Sequence, residues 1–221
     1  MKIDEKGKIF AIGDIHGCYD KLRRLMERLP YDPERDTLVF LGDYIDRGSQ
    51  SKEVITYLCQ LKRETKKFFM LIGNHEYLML EYHRTGDPSL LPFLRHQGID
   101  ATLNSFGANN PQSLQDMLFL SEEHLQLFHS LLPYLETEDY IFVHAGLEPG
   151  IPLEKQDISS LCETRPSFLS EGHDFGKLVI FGHTPFDMPY VTPTRIGIDT
   201  GAAYGNLLTA LELPGFIFHH S

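Results

Sequence analysis

Ile9-Phe10-Ala11-Ile12-Gly13-Asp14-Ile15-His16-Gly17 is the stretch that decides the fold. Four apolar residues, stopped by a glycine and followed at once by polar side chains, read as a strand buried on both faces that ends in a ligand-bearing turn. The pattern returns four times. Leu38-Val39-Phe40-Leu41-Gly42 precedes Asp43, and Phe68-Phe69-Met70-Leu71-Ile72-Gly73 precedes Asn74 and His75. Ile141-Phe142-Val143 precedes His144, and Leu178-Val179-Ile180-Phe181-Gly182 precedes His183. Amphipathic stretches separate the first three runs: Leu22, Leu25, Met26 and Leu29 recur at helical spacing, as do Val54, Ile55, Leu58 and Leu61. Strand–helix–strand alternation implies parallel pairing with helices on the sheet faces, and the polar groups just past the strand ends then meet in one crevice.

Residues 85–132 read as mainly helical, with loops around Gly86-Asp87-Pro88 and around 107–111. The chain returns to strands at 195–199, 206–213 and 216–218, whose close spacing predicts an antiparallel portion. The sum is an α/β fold with mixed sheets. No linker or low-complexity stretch divides it, so one domain over residues 1–221 is expected. The 221 residues carry 20 Lys+Arg against 31 Asp+Glu, a formal charge of −11, which excludes the basic footprint of a non-specific nucleic-acid binder. No apolar run approaches the ~18 residues of a membrane span, and the polar start lacks a signal-peptide core, so no membrane partner and a cytoplasmic location are expected. Cys18, Cys59 and Cys162 are odd in number and form no C-x-x-C pair, which argues against disulfides and against a cysteine zinc site.

The five strand ends deliver Asp14 and His16, Asp43 and Asp46, Asn74 and His75, His144, and His183. A Gly-Asp end by itself reads as an Asx turn or a helix N-cap, and a lone histidine at a strand end as a satisfied buried imidazole. Together they offer the carboxylate, amide and imidazole donors that Mn²⁺, Fe or Zn²⁺ accept. Six candidate ligands exceed one tetrahedral zinc with an open position and suit two ions sharing a carboxylate. Cys18 and Arg24 have the C-x₅-R spacing of a cysteine phosphatase, but 19–23 contain no glycine to form a phosphate cradle and read as a helix start. His83, His124 and His129 fall in helical stretches, His96 and His173 near loops, and His219-His220 at the chain end stand apart from the other ligands. Tyr19, Tyr44 and Tyr77 flank the motifs and read as packing residues.

Taken in order, Gly13-Asp14-Ile15-His16-Gly17, Gly42-Asp43-Tyr44-Ile45-Asp46-Arg47-Gly48, Gly73-Asn74-His75-Glu76, His144-Ala145-Gly146 and Phe181-Gly182-His183-Thr184 resemble the signature of the phosphoprotein phosphatase (PPP) metallophosphoesterases. Gly17-Cys18-Tyr19-Asp20 and Ile198-Asp199-Thr200-Gly201-Ala202 resemble the compact bacterial and bacteriophage lambda-type Ser/Thr protein phosphatases. The resemblance implies a calcineurin-like fold of two mixed β-sheets flanked by helices, a four-layer α/β/β/α sandwich. It implies that Asp14, His16 and Asp43 hold one divalent ion and that Asp43 bridges to a second completed by Asn74, His144 and His183. Mn²⁺ is the expected metal, with Fe, Zn or Ni as alternatives. Arg47 would grip the phosphoryl group, His75 would protonate the leaving oxygen, and Asp46 would orient His75. A second arginine of the family falls on Arg165, though Glu163 stands where the family carries tryptophan.

The function implied is hydrolysis of phosphoserine or phosphothreonine in proteins by direct attack of a metal-bridging hydroxide, with intact Asp46-Arg47-Gly48 and Glu76 favouring this main reading. The alternative is a dinucleoside polyphosphate (diadenosine tetraphosphate) hydrolase, which resembles the same family. A non-catalytic phosphate-binding module comes third, because a binder has no need of a leaving-group acid such as His75.

Overall fold

In the computed structural model, which describes residues 7–108, 111–163, 166–170 and 174–221, the strands form two five-stranded sheets. The first contains β1 (Ile9–Ile12), β2 (Thr37–Phe40) and β3 (Lys67–Met70), paired in parallel through crossover helices α1 (Tyr19–Arg28) and α2 (Ser51–Glu64). Helix α3 (Asn74–Thr85) follows β3 after three residues and ends on Gly86, whose left-handed φ of 64° favours glycine. The helical middle follows as α4 (Leu91–Gln97), α5 (Ile99–Ser105), α6 (Pro111–Gln115) and α7 (Glu122–His129). His96 therefore sits within α4 rather than beside a loop.

The second sheet holds β4 (Tyr134–Glu136), β5 (Tyr140–Val143), β6 (Leu178–Phe181), β7 (Tyr190–Val191) and β8 (Arg195–Gly197) in the order β4-β5-β6-β8-β7. Two short helices, α8 (Ile158–Cys162) and α9 (Pro166–Leu169), lie between β5 and β6. Strands β9 (Thr209–Leu213) and β10 (Ile217–His220) return to the first sheet, where β9 runs antiparallel to β1 and β10 to β9. The expected antiparallel portion is thus real for these two. The segment at 195–199 enters the second sheet instead, where β8 pairs antiparallel with β7 and in parallel with β6. Residues 182–194 give about the dozen needed for the parallel β6–β8 crossover, and residues 192–194 close the β7–β8 hairpin.

Side-chain alternation assigns the layers. Ile9 and Ala11 of β1 pack between the sheets with Val39, Phe142, Ile180, Ile196 and Leu211, while Phe10 and Ile12 point the other way. They meet Leu22 and Leu25 of α1 and Leu58 of α2. On the far side, Ile141, Val143, Val179 and Phe181 pack with Leu161 of α8 and Phe168 of α9. Two mixed sheets flanked by helices result, and burial of both strand faces is why the runs are apolar at every position rather than at alternate ones. Among the described residues no helix is long and apolar enough to cross a membrane.

Candidate metal and phosphate site at the strand ends

Parallel strands β1, β2, β3, β5 and β6 all end toward one crevice, and the polar residues after them converge there. Asp14, His16, Asp43, Asp46, His75 and His144 are each at most 2% exposed. Seven described non-glycine residues have left-handed φ, and five of them are His16, Asp43, Asp46, Arg47 and His183. Such strain clusters where surrounding structure enforces a chemical geometry. The glycines allow the close approach, though not by sparing their own neighbours. A Cβ on Gly42 would lie 2.7 Å from His144 Nδ1, and one on Gly13 would collide with the carbonyl of Ile198, the residue after β8. A Cβ on Gly73 would run into Asp43, and one on Gly182 into Asp14.

Asp43 is the centre. Its Oδ2 lies 3.3 Å from His16 Nε2 and 3.8 Å from His75 Nε2, while its Oδ1 lies 3.5 Å from His144 Nε2. Asn74 Oδ1 is 3.1 Å from His144 Nε2 and 2.9 Å from His183 Nδ1. Two groups of metal-capable atoms therefore share Asp43: His16, Asp43 and His75, and Asp43, His144 and His183. His16 donates from Nδ1 to the Ile45 carbonyl and His144 from Nδ1 to the Leu41 carbonyl, each at 2.9 Å. Those bonds fix the tautomer and turn the Nε2 lone pairs inward, the usual support of a metal-binding imidazole. Burial pushes His16 down to about 3, lowers His144, and pushes His183 down to about 4, so all three present neutral rings near pH 7.

Asp14 stands apart from both groups. Its carboxylate accepts the His183 backbone N–H, at 3.1 and 2.9 Å to its two oxygens, and burial followed by Asp199 and Asp43 pushes its pKa well up. Asp14, Asp43 and Asp199 are carboxylates at most 3% exposed, a concentration of desolvated oxygen that calls for cations. This donor set fits divalent metals.

His75 behaves differently from the other imidazoles. Its Nδ1 lies 2.7 Å from Asp46 Oδ2, its Nε2 is buried without a hydrogen-bond partner, and the ring is wholly buried. Burial alone would lower its pKa, but the Asp43 and Asp46 carboxylates carry it above the ordinary value. Asp46 is itself fixed by Thr102 of α5, whose hydroxyl donates to Oδ1 at 2.6 Å and accepts from the Asp46 amide at 2.8 Å. Arg47 points its guanidinium 2.7 Å from His16 Nε2 and lies over the Tyr204 ring. Gly98, at φ 103°, lets the α4–α5 junction approach the Arg47 amide.

Sequence reasoning missed Thr102 entirely and read Glu76 only as a motif letter. Glu76 is fully buried, and its carboxylate accepts the amides of Asp43 and Tyr44 at 2.9 Å, Gly73 at 3.2 Å and Ile45 at 3.3 Å. Its place as the third residue of α3, three after Gly73, is the helix-start signal that pointed to a backbone-capping role. Tyr44 is core: its hydroxyl donates to the Leu71 carbonyl at 2.7 Å. Cys18 directly precedes α1, and burial raises its thiol, so no thiolate cradle forms. All three cysteines are free. His219 pairs with Glu212 and His220 with Thr209 on the surface sheet, away from the crevice. Arg165 and His173 lie outside the described residues.

The calcineurin-like phosphoesterase profile matches residues 7–201, and the chain belongs to that family. Its members are hydrolases that work with divalent metals, and the two groups around Asp43 are the residues that could hold them here. Among its relatives is the asymmetrical bis(5'-nucleosyl)-tetraphosphatase PrpE of Bacillus velezensis, 29% identical over 92% of this chain and 88% of that one. The symmetrical bis(5'-nucleosyl)-tetraphosphatase of Xylella fastidiosa is 29% identical over 92% of this chain and 62% of that one. A solved structure of a candidate diadenosine tetraphosphatase matches 99% of this chain and 94% of its own, with TM-score 0.73 and 22% identity. A protein serine/threonine phosphatase from Saccharomyces cerevisiae matches 95% of this chain and 74% of its own, with TM-score 0.60 and 20% identity, a likeness of fold.

These relatives overturn the expected main activity, protein Ser/Thr phosphatase acting on a phosphoprotein. Of the residues that favoured it, Glu76 and Gly48 have structural duties instead. Glu76 holds the Asp43 turn, and Gly48 donates its amide to the His16 carbonyl at 3.0 Å. Neither touches the position of a leaving group, so neither separates a protein side chain from a nucleotide.

The buried carboxyls give a test of the cation requirement. Burial pushes Asp199 up to about 6 and Glu76 up to about 8, whereas in the unfolded chain both lose their protons near about 4. A raised folded pKa means the native state holds those protons more tightly, so the contribution of these two groups is greatest in acid and falls as pH rises through their folded values. Between about pH 7 and about pH 8, where the histidines lowered by burial are neutral in the folded and the unfolded chain alike, chelator-treated protein should therefore show a declining melting temperature, with added Mn²⁺ restoring it at the upper end. A melting temperature that climbs across that window without metal would contradict the assignment.

Proposed function

We propose that this chain is a metal-dependent hydrolase of dinucleoside polyphosphates, with diadenosine tetraphosphate as the reference substrate. The observation that carries this is similarity to bis(5'-nucleosyl)-tetraphosphatases over more than nine-tenths of the chain, including the strand ends where the donor groups converge. Hydrolysis adds water across one phosphoanhydride: a new phosphorus–oxygen bond forms, the bridging oxygen leaves with the departing nucleotide, and that oxygen takes up a proton. Asp14, His16 and Asp43 would hold one ion, and Asp43, Asn74, His144 and His183 a second. Bound there, divalent ions would supply Lewis-acid polarisation of the phosphate and a water ionised near neutral pH.

The remaining work falls to the chain. Arg47 would pair with phosphoryl oxygens through its planar, permanently charged fork. His75 would carry the proton for the departing oxygen on Nε2, the buried atom without a protein partner. Asp46, locked by Thr102, would keep Nδ1 protonated and the ring in register. A nucleotide phosphate is a better leaving group than a serine alkoxide, so this acid is needed less than a protein phosphatase would need it.

Turnover of diadenosine tetraphosphate and of a phosphoserine peptide by Mn²⁺-loaded protein, with nucleotide products separated, tests the reading. The tetraphosphate should be favoured in kcat/KM by at least about a hundredfold, and EDTA should abolish its cleavage. Preference for the phosphopeptide would sink the proposal. The geometry also places His75 within reach of Asp43, so ligand and acid must be told apart. His75→Asn should lower kcat by roughly 10²–10⁴-fold while metal content stays unchanged. Loss of metal in parallel with rate would make His75 a ligand.

A further inference from the structure

Tyr204 is 63% exposed, yet it is held in place from several directions. It ends a short turn of 3₁₀ helix over Ala202–Tyr204, bracketed by Gly201 at φ 73° and Gly205 at φ 95°. The Gly201 carbonyl accepts the amides of Tyr204 at 2.9 Å and Asn206 at 3.2 Å, and the Gly201 amide is taken by Asp199 Oδ1 at 2.9 Å. Lys21 reaches across from α1 and donates its ammonium to the Ala202 carbonyl at 2.7 Å and to the Asn206 carbonyl. Asn206 donates its side-chain amide to the Asp187 carbonyl at 3.0 Å, tying in the loop that follows His183. An isolated aromatic on a surface needs no explanation. One on a turn pinned by a lysine from another element, beside the phosphate-facing arginine, does.

The Arg47 guanidinium carbon sits 5.2 Å from the Tyr204 ring centroid. One ring face is thereby turned to the arginine while most of the ring stays open to solvent. A phosphate gripped by Arg47 would leave the nucleoside attached to it beside that open surface. Met188 and Leu207, 72% and 44% exposed, are carried by the two segments that the Asn206–Asp187 bond joins.

We propose that Tyr204 is the stacking platform for a nucleobase of the substrate, with Lys21 as the positioning residue that keeps the platform rigid. This rests on the dinucleoside polyphosphate reading and adds to it the residue that distinguishes a nucleotide from a bare phosphoester. Base–aromatic stacking is tolerant of base identity because every base has a π-face, so the site selects for a nucleoside rather than for adenine. A turn ordered before the ligand arrives loses little further freedom on binding, which is what the Lys21 contacts supply.

The test uses Mn²⁺-loaded protein and two ligands that resist hydrolysis, α,β-methylene-ADP and methylenediphosphonate, which differ by one adenosine. Calorimetric titration should show the nucleotide binding about tenfold or more tighter than the base-free ligand. Tyr204→Leu should erase that advantage while leaving methylenediphosphonate affinity within about twofold, and Tyr204→Phe should keep it. Lys21→Met should reduce it. Equal binding of the two ligands by the unmodified protein would overturn the proposal. So would equal weakening of both ligands by Tyr204→Leu, since the ring would then be acting through Arg47. The tetraphosphatase reading is judged separately by its own turnover assay. A Tyr204-dependent nucleotide advantage without cleavage of diadenosine tetraphosphate would retain the platform and discard that substrate.

Discussion

The arrangement depends on holding one buried carboxylate, Asp43, where both of its oxygens face imidazoles from different strands. A desolvated carboxylate is costly unless hydrogen-bonded or paired, and here the fold spends several devices on it. Asp43 adopts φ 52°, Gly42 and Gly73 leave room for His144 and for Asp43 itself, and Glu76 gathers the amides of residues 43–45. Asp43 also accepts the His75 backbone N–H at 3.2 Å, which joins its turn to the start of α3. The parallel strands of two sheets have to end at one level for this to occur, so the architecture and the site are one constraint.

Much of this was legible in the sequence. Doubly buried strands announce themselves as unbroken apolar runs, and the polar residue after each glycine marks where the crevice lies. The ligand candidates converge for that reason. Thr102 was invisible because its partner Asp46 is brought to it by the packing of α5 on α2, through Ser51 and Thr102, and no local pattern encodes that approach. Glu76 was visible as a letter but not as a function, since its four partners are backbone amides that carry no sequence signature. Of the two pairings of β8, only an antiparallel one was foreseen, because the parallel pairing with β6 follows from the path of a connecting segment rather than from apolar spacing.

Substrate class was the harder inference, and the reason is physical. The motifs specify metal ligation, phosphoryl contact and backbone shape, which any phosphoester needs, while the leaving group is read by residues outside them. One scaffold can therefore serve a phosphoprotein or a nucleotide. Tyr204, on a turn outside those motifs, is the residue proposed to read the nucleoside. The formal charge of −11 is similarly uninformative about the crevice. Divalent cations held by the buried carboxylates beside Arg47 would make a locally positive surface in an acidic protein, and local field rather than net charge decides what anion enters.

Metal stoichiometry tests the centre of this account most directly. Chelator-stripped protein titrated with Mn²⁺ should take up two equivalents per chain, and Asp43→Asn should lose both together because each group of ligands depends on the same carboxylate. If the Asp43→Asn protein, shown to be folded by its circular dichroism, still bound two equivalents with unchanged affinity, Asp43 would not be the shared ligand and the account would be wrong at its core.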